Sequence, residues 1–444
     1  MFKLFRVRDS VEPEPVAVVP SGMDVKLSDK TSGPTIWFLV VAGSASTTLA
    51  LVAKRILHDH PHARIVAIDS EAFNTQTRSK VVWDAPGEVL RLAPEDLGLI
   101  NFSKRRALPG RVNLLLNGGQ FAFDRLVRRI EKDLAHVRPD LVVTCNDTFY
   151  AQRAFLSAAR KMGADTVLVQ EGPFTIVRSK EAAPRPGLIP KMALAARKLG
   201  LIPPTMPYGA YGHSMVLATS QDYAGRFVAA GVAPHTIRFI GVPRFDPLLQ
   251  IARSRSDPPR VIYVFQPFVA QGRVAGSAAR ATLAEMAKGF AIAYERMPFT
   301  LVTRPHPRSD HETFGHFEDC LTIPYSRSAG GPLDEEVAGA SCSVGHYSIG
   351  LLESLMMGVP VVSMPIPIEA FTERLEGEKQ LWFDEAGVPY ARSADEFAEL
   401  LIDALTHGVP STTDVTAETG PMDGKATDRA AEAIAKLLKD RSDG

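Results

Sequence analysis

Two stretches of the chain combine residue types that suit the binding of a phosphate group. The first is Leu301–Asp310 (LVTRPHPRSD), where an apolar run ends in Arg304, Pro305, His306 and Pro307. Proline fixes its own φ and favours an extended residue before it, so we expect the loop to hold the His306 side chain rigidly. An imidazole close to a guanidinium predicts a site for an anionic ligand, although His306 could instead only stabilise the loop.

The second stretch is Gly345–Pro360 (GHYSIGLLESLMMGVP), where small and hydroxyl residues precede an apolar helical run. A helix that begins near Ser348 would direct its free backbone N–H groups and the positive end of its dipole towards a bound phosphate. Ser348 could equally serve only as the N-cap. Glu353 lies about one turn into this helix, where its carboxylate could accept hydrogen bonds from ribose hydroxyls.

A carboxylate suited to proton transfer follows a buried-strand pattern at Thr166–Gln170, in the sequence Glu171-Gly172. At the end of a strand that faces a cleft, Glu171 could take the proton of an acceptor hydroxyl, and a solvated turn acid is the alternative. Gly43 and Ser44 follow a strand pattern at Ile36–Ala42, where small residues would let a ligand approach the backbone or simply form a tight turn. Asp147 follows the strand pattern Leu141–Cys145.

Alternating strand and helix patterns predict the elements that position these residues. Such alternation is typical of parallel sheets covered by helices on both faces, which bind ligands at the carboxyl ends of their strands. We therefore predict an α/β fold with two Rossmann-like, doubly wound domains that face a cleft, followed by a C-terminal helix. The predicted bounds are a flexible leader at 1–33, an N-terminal Rossmann-like domain at 34–250, a C-terminal Rossmann-like domain at 259–424 and a terminal helix at 425–444.

Two details of this prediction depend on weak patterns. Residues 72–110 are polar and predict irregular structure, and Leu321–Ile323 predicts a strand after the histidine loop. The polar segment Ser254–Arg260 predicts the interdomain linker. Just before it, Arg244 and Asp246 are expected to orient the linker rather than to contact substrate.

Composition limits the classes of function. Among 444 residues, 50 Lys and Arg balance 50 Asp and Glu, so the net charge gives no indication of nucleic-acid binding. The three widely spaced cysteines match no disulfide or zinc pattern and indicate a reducing cytoplasm. No Asp-x-Asp occurs, and the alternating histidines of HDHPH at 58–62 predict a surface loop, so no metal site is expected.

The sequence predicts contact with a membrane surface at most, and no span across it. No apolar run approaches the roughly 20 residues that a membrane-spanning helix requires. The alternating MFKLFRVR at the N-terminus and the basic loop 178–198 could contact an anionic surface. We therefore expect a cytoplasmic protein that could lie peripherally on the inner membrane, with a solvated terminus and a solvated loop as the alternatives.

Four motifs in this order resemble the surface-polysaccharide glycosyltransferases of the GT-B fold. They are QEG at 170–172, GVPRFD at 241–246, RPHP at 304–307 and HYSIGLLESLMMGVPVV at 346–362. The resemblance is to the cytidine-nucleotide group with an acid-Gly motif and an HP motif, which holds bacterial sialyltransferases, capsule Kdo transferases and, more distantly, CDP-glycerol-type polymerases. It covers most of residues 34–375. Sialyltransferases carry two acids before the glycine, whereas Gln170 stands in the first position here.

The resemblance implies a metal-independent, inverting glycosyltransferase that moves a sugar from a CMP-sugar, such as CMP-Kdo or CMP-sialic acid, to a surface polysaccharide or glycolipid. No cofactor is expected beyond the nucleotide-activated donor, which is expected to be cytidine-based. The expected catalytic residues are Glu171 and His306. Substrate contacts are expected from Arg304, Pro307, Tyr347, Ser348, Glu353, Gly172, Asp147, Gly43 and Ser44. A CDP-polyol phosphotransferase, a UDP-sugar 2-epimerase and a non-catalytic envelope-assembly scaffold are the alternatives.

Overall fold

The computed structural model describes most of the chain. The described residues are 33–73, 81–97, 116–173, 177–179, 199–201, 203, 206–254, 256–270, 272–306, 311–371, 373–375 and 386–442. Residues 1–32 of the predicted leader, Pro307 and most of the basic loop 178–198 lie outside them.

The first half of the chain forms a seven-stranded sheet in which all neighbouring strands are parallel. Its strands, with the separate β6, are β1 Thr35–Val40, β2 Arg64–Asp69, β3 Glu88–Arg91, β4 Leu141–Thr144, β5 Asp165–Val169, β6 Val177–Ser179, β7 Met215–Ala218 and β8 Ile237–Phe239. The order across the sheet is β3-β2-β1-β4-β5-β7-β8. The helices are α1 Ser44–Asp59, α2 Gln120–Asp133, α3 Tyr150–Lys161 and α4 Gln221–Ala229.

Strand β1 shows how this sheet buries both of its faces. Successive side chains of a strand point to opposite faces. Trp37 packs with Leu126 of α2 and Phe155 of α3 in one core cluster. Phe38 packs with Leu49 of α1 in a second cluster. A strand that is apolar at every position is therefore required here, as the sequence pattern indicated.

The second half forms a five-stranded parallel sheet in the order β11-β10-β9-β12-β13. The strands are β9 Arg260–Val264, β10 Thr300–Arg304, β11 Tyr325–Arg327, β12 Cys342–Gly345, β13 Val361–Ser363 and a separate β14 Glu373–Leu375. The helices are α5 Gly276–Arg296, α6 His311–Cys320, α7 Leu333–Ala338, α8 Ile349–Met356, α9 Ala394–His407, α10 Thr416–Thr419 and α11 Ala426–Ser442. Strand β14 pairs antiparallel with β6 of the first half.

The terminal helix α11 returns to the first half of the chain. Ala430 and Ile434 of α11 lie in the same core cluster as Leu49 of α1. At the start of the helix, the Asp246 carboxylate accepts hydrogen bonds from the backbone N–H groups of Ala426, at 3.1 Å, and Thr427, at 2.7 Å. Asp246 thus fixes the entry of α11 next to the linker, as an N-terminal carboxylate does through the helix dipole.

Two sequence predictions of local structure are wrong. The polar segment 72–110 contains β3, a four-residue strand at the sheet edge whose residues are only partly buried. Leu321–Ile323 is not a strand; the edge strand β11 begins at Tyr325, after α6. All three residues of β11 are exposed, so this strand lacks the apolar signal on which the prediction relied. Among the described residues, no helix has the length and apolar character needed to cross a membrane.

Candidate functional site

Glu171 lies just past the carboxyl end of β5, and its carboxylate is directed into a largely dry environment. One carboxylate oxygen, Oε2, is buried and finds no hydrogen-bond partner among the residues that the structure describes. Burial raises the pKa of the Glu171 carboxyl, although a hydrogen bond from Ser44 and the charge of Arg244 both act to lower it. A carboxylate with a raised pKa is a stronger base, which suits removal of a hydroxyl proton.

Ser44 reaches Glu171 because β1 and β5 end on the same edge of the sheet, on either side of β4. Gly43 is the N-cap of α1 and has φ of 99°, a conformation that favours glycine. The Ser46 hydroxyl donates to the Gly43 carbonyl at 2.8 Å, and the Glu71 carboxylate accepts from the Ala42 N–H at 3.1 Å. This loop therefore holds the Ser44 hydroxyl in position against the candidate base.

Arg244 joins the two halves of the molecule at this point. It lies in a 3₁₀ turn, Pro243–Phe245, and its Nε donates to the backbone carbonyl of Glu171 at 3.0 Å. Its Nη1 forms an ion pair with the carboxylate of Glu353 in α8. The Arg244 side chain is 10% exposed and that of Glu353 is 20% exposed. A charge-assisted contact with so little solvent access fixes α8 relative to the end of β5.

The N-terminus of α8 has the predicted cap. Ser348 is the N-cap residue, and its hydroxyl accepts from the backbone N–H of Gly350 at 3.0 Å. The Tyr347 N–H donates to Oε1 of Gln266, which follows β9, at 2.6 Å. The capping role of Ser348 is confirmed, and its contact with phosphate stays a prediction. Because the N–H groups of Tyr347, Gly350 and Leu351 already have acceptors, a bound phosphate would use those of Ser348 and Ile349.

The Tyr347 side chain is enclosed by other protein groups. Its ring packs against Phe268 and Phe371 with ring centroids 6.1 and 5.7 Å apart. Its hydroxyl donates to the Ile366 carbonyl at 2.8 Å. The side chain is buried and its polar group is committed, so the structure assigns Tyr347 to the support of the loop before α8.

The neighbouring His346 is buried and stays neutral at physiological pH. Burial lowers its pKa to about 4, although a contact with the Met364 carbonyl acts to raise it. Nδ1 lies 2.6 Å from that carbonyl and Nε2 lies 3.1 Å from the Tyr263 hydroxyl. A histidine with both ring nitrogens occupied positions the end of β12 and is no candidate for proton transfer.

Arg304 and His306 lie at the end of β10, two strands away from β12 across β9. Arg304 forms an ion pair with Glu336 of α7 at 2.6 Å and also donates to the Gly331 carbonyl. The Arg304 side chain is thus held by protein groups, and its contact with an anionic substrate stays a prediction. His306 is partly exposed on the loop that follows. Pro307 lies outside the described residues.

Asp147 is fully buried and supports the fold. Its carboxylate accepts hydrogen bonds from the N–H groups of Gly209, at 3.1 Å, and Tyr211, at 3.3 Å, and lies 3.2 Å from Nε2 of His213. Burial lowers the pKa of His213, although the Asp147 carboxylate acts to raise it. The Asp147 carboxylate therefore anchors the loop before β7, and its expected substrate contact stays a prediction.

The histidines of the HDHPH segment lie at the surface. His58 is exposed, and its Nδ1 lies 3.0 Å from the Asp59 carboxylate. Within the described part of the chain, no group of three or more His, Cys, Asp or Glu side chains is arranged to hold a metal ion.

The structure thus joins one subset of the predicted residues into a site. Ser44, Glu171, Gly172 and Glu353 meet around Arg244, whereas Arg304 and His306 lie at a separate strand end. Sequence reasoning assigned Arg244 to the linker and missed its contacts with Glu171 and Glu353. The only sequence signal was its place in GVPRFD, one of the four motifs of the resemblance.

No family model and no curated protein matches the chain. Solved structures do. A UDP-GlcNAc 2-epimerase from Methanocaldococcus jannaschii superposes with a TM-score of 0.56 and 14% identity, covering 90% of this chain and 99% of that one. The Neisseria meningitidis UDP-GlcNAc 2-epimerase bound to UDP-GlcNAc superposes with a TM-score of 0.53 and 13% identity, covering 90% of this chain and 100% of that one. A calicheamicin glycosyltransferase superposes with a TM-score of 0.51 and 16% identity, covering 92% of this chain and 99% of that one. Likeness at these identities concerns the fold alone, and it confirms the predicted GT-B architecture of two Rossmann-like domains.

Proposed function

We propose that the protein is an inverting glycosyltransferase that uses a nucleotide-activated sugar, with Glu171 as the general base. The observation that carries this proposal is the buried Glu171 carboxyl, whose pKa burial raises at the carboxyl end of β5. We propose that its Oε2, which has no hydrogen-bond partner among the described residues, takes the proton of the acceptor hydroxyl. Ser44 forms a hydrogen bond with the carboxylate and Arg244 holds the backbone carbonyl of the same residue, so that the base keeps its orientation.

In the proposed reaction, the acceptor hydroxyl gives its proton to Glu171 while its oxygen forms a bond to the anomeric carbon. The bond between that carbon and the donor phosphate oxygen breaks, and the nucleotide leaves with the electron pair. The N-terminus of α8 after Ser348 supplies N–H groups and a helix dipole for the phosphate. His306 is proposed to donate to the same phosphate, and Glu353 to accept from the ribose hydroxyls.

The proposed donor is a CMP-sugar, such as CMP-Kdo or CMP-sialic acid, and the proposed acceptor is a surface polysaccharide or glycolipid. Support for cytidine comes from the motif resemblance. A thermal-shift series with CMP, CDP, UDP and GDP tests it, because a ligand that binds only the native state raises the apparent stability. A larger shift with CMP or CDP than with UDP supports the proposal, and an equal or larger shift with UDP removes the cytidine assignment.

A UDP-sugar 2-epimerase is the second candidate, and the observation in its favour is that two UDP-GlcNAc 2-epimerases share the two-domain fold over 90% of this chain. Incubation with UDP-GlcNAc in the absence of any acceptor separates the two candidates. Epimerisation at C2 would give a product with a new anomeric and C2 proton signature by NMR. Under the transferase proposal, UDP-GlcNAc stays unchanged.

A further inference from the structure

The first turn of α2 carries the most exposed large apolar side chain among those described. Phe121 is 75% exposed. The adjacent N–H of Gln120 donates to the carbonyl of Leu201 at 2.8 Å, which joins the start of α2 to the segment 199–201. Leu199 is 72% exposed and Leu201 is 44% exposed. Large apolar side chains grouped on a surface in this way mark a site of contact with another surface.

The same face of α2 is basic along its length. Arg125, Arg128 and Lys132 follow Phe121 at spacings of four, three and four residues, and all are exposed. Residues at this spacing share one side of a helix. The opposite side of α2, with Phe123, Leu126, Val127 and Ile130 among others, is buried against the sheet. Asp124 also lies on the outward side and accepts from Gln120 at 2.7 Å, so the outward face carries net positive charge.

We propose that this surface, Phe121, Arg125, Arg128 and Lys132 of α2 together with Leu199 and Leu201, docks the protein on an anionic lipid bilayer. Apolar side chains at one end of a basic helix face match the boundary between acyl chains and anionic headgroups. An acidic partner protein would need an apolar surface matched in position to its carboxylates, whereas an anionic bilayer offers headgroup charge and acyl chains over its whole area, which favours the bilayer.

The orientation of this surface has a consequence for substrate access. Helix N-termini in a parallel α/β sheet lie at the edge where the strands end, so Phe121 is on the same side of the molecule as Glu171. Docking through α2 would hold the candidate base near the bilayer surface. Membrane binding is independent of the proposed transfer reaction, since the lipid surface itself is the ligand.

The test is sedimentation with vesicles of phosphatidylcholine alone or with phosphatidylglycerol, at low and high salt. The protein is expected to sediment with the anionic vesicles at low salt and to be released by high salt. Replacing the cations together, Arg125→Gln, Arg128→Gln and Lys132→Gln, should weaken the partition constant on the order of a hundredfold. Phe121→Ser with Leu199→Ser should also weaken it, and these exposed substitutions should leave the thermal unfolding temperature unchanged.

Phe239→Ser is the matched control, because Phe239 is 52% exposed on β8, on another part of the surface. It should leave vesicle binding unchanged. Equal binding to both vesicle types, no binding at low salt, or an equal loss in the control would overturn the proposal. Concentration-dependent self-association that Phe121→Ser abolishes would also overturn it, because the surface would then be an interface between copies of the chain.

Discussion

Replacing Arg244 by glutamine is expected to destabilise the protein by about 2 kcal/mol, because Glu353 would keep its charge and lose its partner. Breaking a fully buried ion pair from one side costs roughly 3–5 kcal/mol, whereas an exposed pair contributes about 0–1 kcal/mol. The Arg244–Glu353 pair lies between these limits, since its side chains are 10% and 20% exposed. Equilibrium unfolding in urea measures the change, and Glu353→Gln with the double variant completes a cycle whose coupling energy isolates the pair.

The matched control is Arg296→Gln, because Arg296 pairs with Glu399 while both side chains remain about half exposed or more. It should cause no measurable change in stability. A loss at Arg244 that is no larger than that at Arg296, or a coupling energy near zero, would refute the reasoning that this pair joins the two halves.

The same variant tests the electrostatics of the candidate base. The charge of Arg244 acts to lower the pKa of the Glu171 carboxyl, so its removal should raise that pKa further. A general base works only when ionised. The acid limb of the pH–rate profile should therefore move to higher pH, with activity lost at low pH and retained at high pH. A folded Arg244→Gln protein whose acid limb stays in place or moves to lower pH would refute this.

Further predictions concern catalysis, nucleotide binding and the turn at Gly420, where the chain packs back against the first half. Glu171→Gln should lower kcat by roughly 10²–10⁴ with CMP affinity retained. His306→Ala should lower both turnover and CMP affinity. Kinetics of the folded variants measures turnover, and titration with CMP measures affinity. Glu171→Gln should also stabilise the protein at neutral pH. The raised pKa means that the buried carboxyl opposes folding increasingly as pH rises from the ordinary Glu pKa to the raised value, and fully above it, whereas an amide does not ionise. At 100 times its dissociation constant, CMP should stabilise the protein by about 2.7 kcal/mol. Gly420→Ala should cost more than about 3 kcal/mol in urea unfolding, because the added Cβ would lie 2.1 Å from the Thr219 carbonyl oxygen. Gly424→Ala, with a φ of 69° but nothing within 4 Å, should cost only about 1–2 kcal/mol.

The fold was predictable from sequence because its central strands carry continuous apolar runs, such as Ile36–Val40 in β1 and Val167–Val169 in β5. Strand β4 spans Leu141–Thr144 and β5 spans Asp165–Val169, each within one residue of the predicted bounds Leu141–Cys145 and Thr166–Gln170. The pattern failed where burial is partial. Strand β3 lies at the sheet edge, and exposed β11 owes its place to backbone pairing with β10. Backbone pairing leaves no trace in side-chain periodicity.

The candidate site was predictable only in part. The sequence correctly predicted that Glu171 follows a strand and that Ser348 precedes a helix, because both positions follow from the order of strands and helices. The partners of the charged residues were not, because Arg244 and Glu353 are 109 residues apart in the chain and Arg304 and Glu336 are 32 apart. Such pairs depend on how helices pack on a sheet. The same limit hid the internal role of Asp147, whose partners lie more than 60 residues later.

Release of CMP from a CMP-sugar tests the central claim most directly. CMP-Kdo and CMP-sialic acid would each be incubated with the wild-type protein, with and without a polysaccharide or glycolipid acceptor, and with the folded Glu171→Gln variant, while chromatography follows free CMP. The proposal predicts that wild-type protein releases CMP from one of these donors, faster with acceptor, and that Glu171→Gln releases it at least about a hundredfold more slowly. Release of CMP at the wild-type rate by Glu171→Gln, or intact CMP-sugars beside converted UDP-GlcNAc, would contradict it.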